Sequence, residues 1–384
     1  MARQLQAHGI KVSIITGMPN YPEGKIFPGY RGRLWMKEEI DGMPVKRIWL
    51  YPATGRNVWK RLLNYFSFTI TCFLPLLFSK KSDLIFVEAQ PIILAYPAWL
   101  MKIFRGIPYI YNTHDLQVEQ AEDDNWVRLR IVLRLAKFIE TFLMKQSLSV
   151  TTVTHAFIDH FVKHRNIPFN KMTFLPNGAD TDTLCPMPRN NELAEKLGVG
   201  DRMVFTYAGT HAPYQGLETI IETAELLKKR KDIVFLMVGK GPIRKQLTEQ
   251  AEQMGLANVL FRHSPFEEMP QLMSITYASL VVLRDMPIAR KMRLSKTIPP
   301  LSCGVPVIYA GYGETPKILT ENNAGIQVKP EKPDKLAAAI EKLTDDHDLR
   351  NSMSRDCRLL ALRDYSWKNL VNDWLLEINM VAKG

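Results

Sequence analysis

The chain has 384 residues, 46% of them hydrophobic and 23% charged, a length beyond what one hydrophobic core fills, so two domains are expected. Its four cysteines, Cys72, Cys185, Cys303 and Cys357, stand far apart without a C-x-x-C pair, which argues against a disulfide framework and a zinc site. The net charge of +11 is one-sided, since residues 1–180 hold 23 Lys and Arg against 14 Asp and Glu, and this basic half suits an anionic membrane surface better than nucleic acid, for which no module is visible.

In chain order, residues 1–9 show no apolar run behind a basic start, so no secretory signal is expected and the chain is placed in the cytoplasm. Residues 2–8 have the pattern of a helix end, Gly9 its stop, and 12–16 the next strand. A doubly wound sheet opens with a strand before such a helix, so the first strand is expected to be missing, through a misassigned start, a fragment, or a domain built without it. Residues 62–78 form a 17-residue stretch without a charge, flanked by Arg56, Lys60, Arg61, Lys80 and Lys81. That is too short to span a bilayer and fits a helix lying in the interface or buried against its own domain.

Apolar, β-branched runs at 84–88, 109–112, 149–154 and 172–175 alternate with helical patterns, as parallel βα units do. Pro176-Asn177-Gly178 and the polar stretch 186–191 have the composition of a connection between domains. A second series follows at 203–208, 234–238, 259–262, 278–283, 305–309 and 325–328. The end, 365–380, has Ser366 as its N-cap and Trp367, Leu370, Val371, Trp374, Leu375 and Ile378 at helical spacing. The fold expected is α/β with two doubly wound parallel sheets: a domain at 1–178 lacking its first strand, a second at 179–362, and a terminal helix at 363–384.

Several segments carry a resemblance when taken in order. They are Gly17-Met18-Pro19-Asn20-Tyr21-Pro22, Pro28-Gly29-Tyr30-Arg31-Gly32, Leu62-Leu63-Asn64-Tyr65, His114-Asp115-Leu116 and Pro176-Asn177-Gly178. They continue with Tyr207-Ala208-Gly209, Gln215-Gly216-Leu217-Glu218, Gly239-Lys240-Gly241-Pro242 and Leu294-Ser295-Lys296. This set resembles family 4 of the retaining glycosyltransferases, in particular the fucosamine-transferring branch of O-antigen and capsule assembly. The resemblance implies a GT-B fold, two Rossmann-like domains facing across a cleft, with the acceptor on the first, the nucleotide sugar mainly on the second, and a terminal helix crossing back to the first.

Such a reaction needs charge stabilisation of a diphosphate leaving group. Gly209, Thr210, Gln215 and Gly216 would bring backbone amides to a helix start near the phosphate, although the spacing alone equally fits a plain βα turn. Many relatives carry a basic pair in this loop, where this chain has Thr210 and Gln215, so the cations are expected from Arg284, Arg290, Lys291, Arg293 and Lys296 beyond the strand at 278–283. Arg293 and Lys296 lead that group, beside Ser295. By resemblance, Lys240 and Gly241 approach the nucleotide and Arg262 and His263 offer backbone groups to the base. The relatives' ribose-binding glutamate after the Ser-Lys pair is replaced by Pro299-Pro300, and Glu314 is the nearest substitute.

His114 and Asp115 are the expected catalytic pair, orienting hydroxyls while the leaving phosphate takes the proton, and Asn20, Tyr21 and Glu119 fall on the acceptor side. Between Asp115 and Glu119 the relatives' Trp-Pro is Gln117-Val118 here. Asp180-Thr181-Asp182 imitates a D-x-D metal motif but lies in the connection, so it is expected to be turn chemistry and no metal or other cofactor is expected. The expected partners are a UDP-sugar, a polyprenyl-diphosphate-linked saccharide acceptor and an anionic membrane at the inner face of the plasma membrane. Two alternatives stay open: a nucleotide-sugar epimerase of the same fold, and a catalytically silent membrane-peripheral binding protein of a polysaccharide assembly complex.

Overall fold

The computed structural model describes residues 1–20, 24–53, 58–78, 82–123 and 130–383. The chain divides into two compact units, one made of Met1–Leu175 with Val371–Gly384, the other of Pro176–Leu370.

In the first unit β1 (Ile14–Gly17) pairs in parallel with β3 (Met43–Ile48), and β3 pairs antiparallel with β2 (Trp35–Ile40). Strands β2 and β3, absent from the expected set, are joined by Asp41-Gly42, both at positive φ (51° and 74°). Such a mirror-image turn matches the twist of the flanking strands. The strands β4 (Ile85–Glu88), β5 (Tyr109–Thr113), β6 (Ser149–Thr152) and β7 (Met172–Phe174) form a separate parallel sheet in that order. Every residue of β5 and β6 is buried, as in inner strands of a sheet covered on both faces. Strand β1 is only half-buried along its length, and among the described residues neither β1 nor β4 has a strand against its second edge. The parallel strands of this half therefore fall in two sheets.

The terminal helix Trp367–Lys383 supplies the first unit with its residues from Val371 onward. Trp374 is buried, its indole N–H donating to Thr151 Oγ1 at 3.1 Å and its ring set edge-on to Phe86. Burial of a side chain of this size stabilises by roughly 3 kcal/mol, enough to hold the helix end in place.

The second unit is built on a six-stranded, all-parallel sheet in the order β10-β9-β8-β11-β12-β13. Its strands are β8 (Met203–Ala208), β9 (Ile233–Val238), β10 (Val259–Arg262), β11 (Thr276–Val282), β12 (Val307–Ala310) and β13 (Gly325–Val328). Alternate residues of one strand enter different cores: Val204, Val234 and Leu236 pack in one, Phe205, Phe235 and Met237 in the other. The period of two in a strand makes these the two faces of the sheet, each covered by helices. From β8 the chain runs outward through β9 to β10, then returns to β11 and runs the other way. The strand order thus reverses between β8 and β11, where loops leaving the C-terminal strand ends open a crevice. Two α/β units with parallel sheets, the second doubly wound, agree with the GT-B fold expected from the sequence. Among the described residues no helix is long and apolar enough to cross a membrane.

Candidate functional site

At the reversal point, β8 runs into the loop from Gly209 to Gly216 and β9 into Gly239-Lys240-Gly241. The two loops are laced together: Gly209 N–H donates to Val238 O at 2.9 Å and His211 N–H to Lys240 O at 2.8 Å. A Cβ at Gly239 would overlap the carbonyl of Gly209, and one at Gly241 the backbone of His211. Glycine is required at both places because two backbones meet with no room for a side chain between them.

Lys296 reaches this junction from the short turn Ser295–Thr297. Its ammonium donates to Gln215 Oε1 at 2.6 Å and Tyr207 Oη at 3.1 Å, and lies against Gly209. Neither partner is charged, and burial lowers the lysine pKa to about 7. His211 is fully buried beside it, and its two ring nitrogens have no partner among the described residues. Burial first, then the charges of Arg244 and Lys296, pull its pKa down to about 4, so the imidazole is neutral. The junction therefore offers a lysine whose two partners are uncharged and a neutral imidazole. An anion placed there would restore the charge on Lys296 that burial disfavours.

The three arginines of the run are engaged by carboxylates. Arg284 pairs with Glu218 and Glu331, each at 3.1 Å, and donates to Pro213 O. Arg290 pairs with Asp285 at 2.8 Å. Arg293 lies over the Tyr365 ring and 3.5 Å from Glu314, which opens the helix Glu314–Glu321. Of Arg293 and Lys296, then, the lysine is the one at the Gly209 turn. The carbonyl of Arg262 already accepts from Arg244 at 3.1 Å, and its guanidinium donates to Leu197 O and Phe261 O. Thr210, Lys240, His263 and Ser295 are exposed. Tyr207, His211 and Arg244 were not foreseen as site residues; the one signal was the crowding of Tyr207 and His211 around Gly209 in sequence.

In the first unit a polar cluster sits at the C-terminal ends of β4 and β5. His114 Nε2 is 3.0 Å from Glu88 Oε2, and Asn112 Nδ2 donates to the same oxygen at 2.8 Å. Gln90 donates to Asp115 Oδ2 at 3.0 Å. Glu88 and Gln90 join His114 and Asp115 because β4 and β5 are neighbours in register, Glu88 opposite Asn112, a pairing that spacing along the chain does not reveal.

Glu119 turns inward instead. Its Oε1 meets His160 at 2.9 Å and Arg165 at 2.7 Å, and Arg165 also meets the buried Glu140 at 3.0 Å. Burial raises the Glu119 carboxyl, but the bonds from His160 and Arg165 outweigh it and hold the pKa at about 2. For Glu140 burial prevails over Arg165 and lifts it to about 7. Asn20 donates to Met18 O at 2.9 Å. Tyr21 lies outside the described residues, as do Arg56, Lys80 and Lys81.

Among the described residues no group of three His, Cys, Asp or Glu side chains could hold a metal. Asp180 accepts from the backbone of Asp182 and Thr183, closing a turn. A cavity of about 470 Å³, lined among others by Arg189, Arg202, His347 and Arg350, opens at the opposite ends of β8 and β11, away from the glycine junction.

Residues 1–178 match the glycosyl transferase 4-like domain and residues 189–359 match glycosyl transferases group 1. The chain is 26% identical over 283 residues to the alpha-D-kanosaminyltransferase of Streptomyces kanamyceticus, covering 71% of this chain and 70% of that one. It is 26% identical over 303 residues to WcaI of Escherichia coli, a candidate colanic acid biosynthesis glycosyl transferase, covering 73% and 71%. Among solved structures it is similar to Anabaena HepE in complex with UDP and glucose, with a TM-score of 0.68 at 16% identity, over 89% of this chain and 86% of that one.

Proposed function

Since the chain belongs to the glycosyltransferases, with a glycosyl transferase 4-like first half and a group 1 second half, we propose that it is a retaining enzyme using a nucleoside-diphosphate sugar, UDP foremost. The sugar, a hexosyl or N-acetylaminodeoxyhexosyl group as in the fucosamine-transferring branch, goes to a lipid-linked or polysaccharide-precursor hydroxyl at the cytoplasmic face of the membrane. The observation that carries this is the junction of Gly209, Gly239 and Gly241 with Lys296 at the point where the strand order reverses. A diphosphate there would meet an ammonium that has no carboxylate partner among the described residues. HepE, of the same fold, is described with UDP bound, and WcaI is named for colanic acid biosynthesis, which supports the reading of a nucleotide-sugar donor and a glycan product.

In the reaction the anomeric carbon–oxygen bond to the diphosphate breaks, and a new bond to the acceptor oxygen forms on the same face. The acceptor's proton passes to the departing phosphate oxygen, so no protein base is required. Lys296 offsets the charge growing on the diphosphate. In the first unit His114, held by Glu88 and Asn112, orients hydroxyls. We propose that the transfer proceeds without a metal, the cation at the diphosphate being a side chain.

The test is calorimetric titration with a panel of UDP- and GDP-sugars, followed by product analysis with and without polyprenyl-diphosphate-linked acceptors. Binding of at least one donor and acceptor-dependent release of its nucleotide are expected. Failure of every donor to bind contradicts the proposal, and conversion of the donor sugar without acceptor points to an epimerase.

A further inference from the structure

Three neighbouring helices of the first unit leave large apolar side chains in solvent. On Arg130–Gln146, Ile131 is 73% exposed and Phe138 69%, with Leu135 and Phe142 completing a stripe at spacings of four, three and four residues. Helical geometry puts these four on one face. On Val58–Leu77 the exposed Trp59, Leu63, Phe66, Ile70 and Leu74 repeat the same spacing. Between these helices lies Ala95–Arg105, with Ile103 and Phe104 exposed. It is tied to one side by Lys102 Nζ donating to Gln146 O at 2.6 Å and by Trp99 against Phe142, and to the other by Arg105 donating to Leu77 O at 3.0 Å.

Charge on these helices has one sign. Together they carry eight Lys and Arg and a single carboxylate, Glu140, which is fully buried beside Arg165. Arg130, Arg134 and Lys137 are exposed and each lies one residue before a member of the apolar stripe, so a cationic edge runs beside it. Scattered exposed apolar residues are ordinary, but exposed apolar stripes on neighbouring helices whose own exposed charges are all cations are complementary to a surface both apolar and anionic. A protein face of matching acidity would leave the aromatic and aliphatic stripe without reason; a bilayer of anionic lipid satisfies both features.

We propose that this three-helix face, centred on Arg130–Gln146, docks the protein on anionic lipid. The proposal deepens the peripheral placement proposed above, and rests on it for the choice of lipid over protein. Phe138 and its stripe enter the acyl boundary while Arg130, Arg134 and Lys137 stay at the headgroups.

The experiment is sedimentation of the full chain with vesicles of phosphatidylcholine alone or mixed equally with phosphatidylglycerol. Two triple variants are compared with wild type, Ile131→Ser/Leu135→Ser/Phe138→Ser and Arg130→Gln/Arg134→Gln/Lys137→Gln; all six positions are exposed, and solution mass and UDP-sugar binding are measured for each. Wild type is expected on the mixed vesicles and not on phosphatidylcholine alone, with partitioning lowered about tenfold or more in both variants and nucleotide binding unchanged. Wild type that ignores both vesicles, or variants that bind like wild type, overturns the proposal. So does a wild-type dimer that either variant turns to monomer, which would make the face an interface between copies. Because donor binding is read without vesicles, failure on lipid with donor binding intact sinks this surface alone.

Discussion

Lys296 holds its place by two neutral partners and a glycine turn, so its behaviour is the sharpest residue-scale consequence. A charge-assisted contact from this ammonium to a diphosphate is worth roughly 1.5–3 kcal/mol. Lys296→Met is therefore expected to weaken UDP binding about 10- to 100-fold in calorimetric titration. With its pKa near 7 in the free protein, Lys296 is increasingly neutral above that pH, so UDP affinity should fall as pH rises and binding at alkaline pH should take up a proton. The same shift acts on stability: the unfolded lysine binds its proton more tightly, so stability rises with pH from about 7 towards the ordinary lysine value, a slope the methionine variant should lose. A titration in buffers of differing ionisation enthalpy that shows no proton uptake would contradict this. Lys296 was legible in sequence through its place after β11. The sharing of Arg284, Arg290 and Arg293 with Glu218, Asp285 and Glu314 was not, because those pairings depend on which loops meet.

At the scale of elements, the helices Gln117–Asp123, Arg130–Gln146 and His155–Arg165 are joined by Glu119, Glu140, His160 and Arg165. Arg165→Met leaves the fully buried Glu140 and the partly buried Glu119 without their arginine and is expected to cost about 3–5 kcal/mol in denaturant unfolding near neutral pH. Glu140→Gln should cost much less, because Glu140 is already close to half-protonated there. The signs with pH differ: the Glu119 contribution disappears as pH falls from the ordinary carboxyl value towards 2, and that of Glu140 declines as pH rises through 7. An Arg165→Met protein as stable as wild type would show that the cluster carries no net stabilisation. In the second unit β8 coincides with 203–208 because an inner parallel strand is a nearly unbroken apolar run, and the partly buried edge strands β10 and β13 coincide with 259–262 and 325–328. The β2–β3 hairpin was not readable, since Lys37, Glu38 and Glu39 disguise an exposed strand, although Asp41-Gly42 is a hairpin signal.

For the whole molecule, the parallel βα pattern follows from composition and periodicity, whereas the sites are set by which strand ends lie side by side. The first unit gathers Glu88, His114 and Asp115 at the ends of β4 and β5; the second gathers the glycine junction and Lys296 at the ends of β8, β9 and β11. Amide hydrogen exchange with and without saturating UDP locates the nucleotide most directly. Protection is expected at 209–216, 239–243 and 295–298. Absence of protection there, or protection confined to the cavity beside Arg189, Arg202 and Arg350, would contradict the assignment of the glycine junction as the diphosphate site.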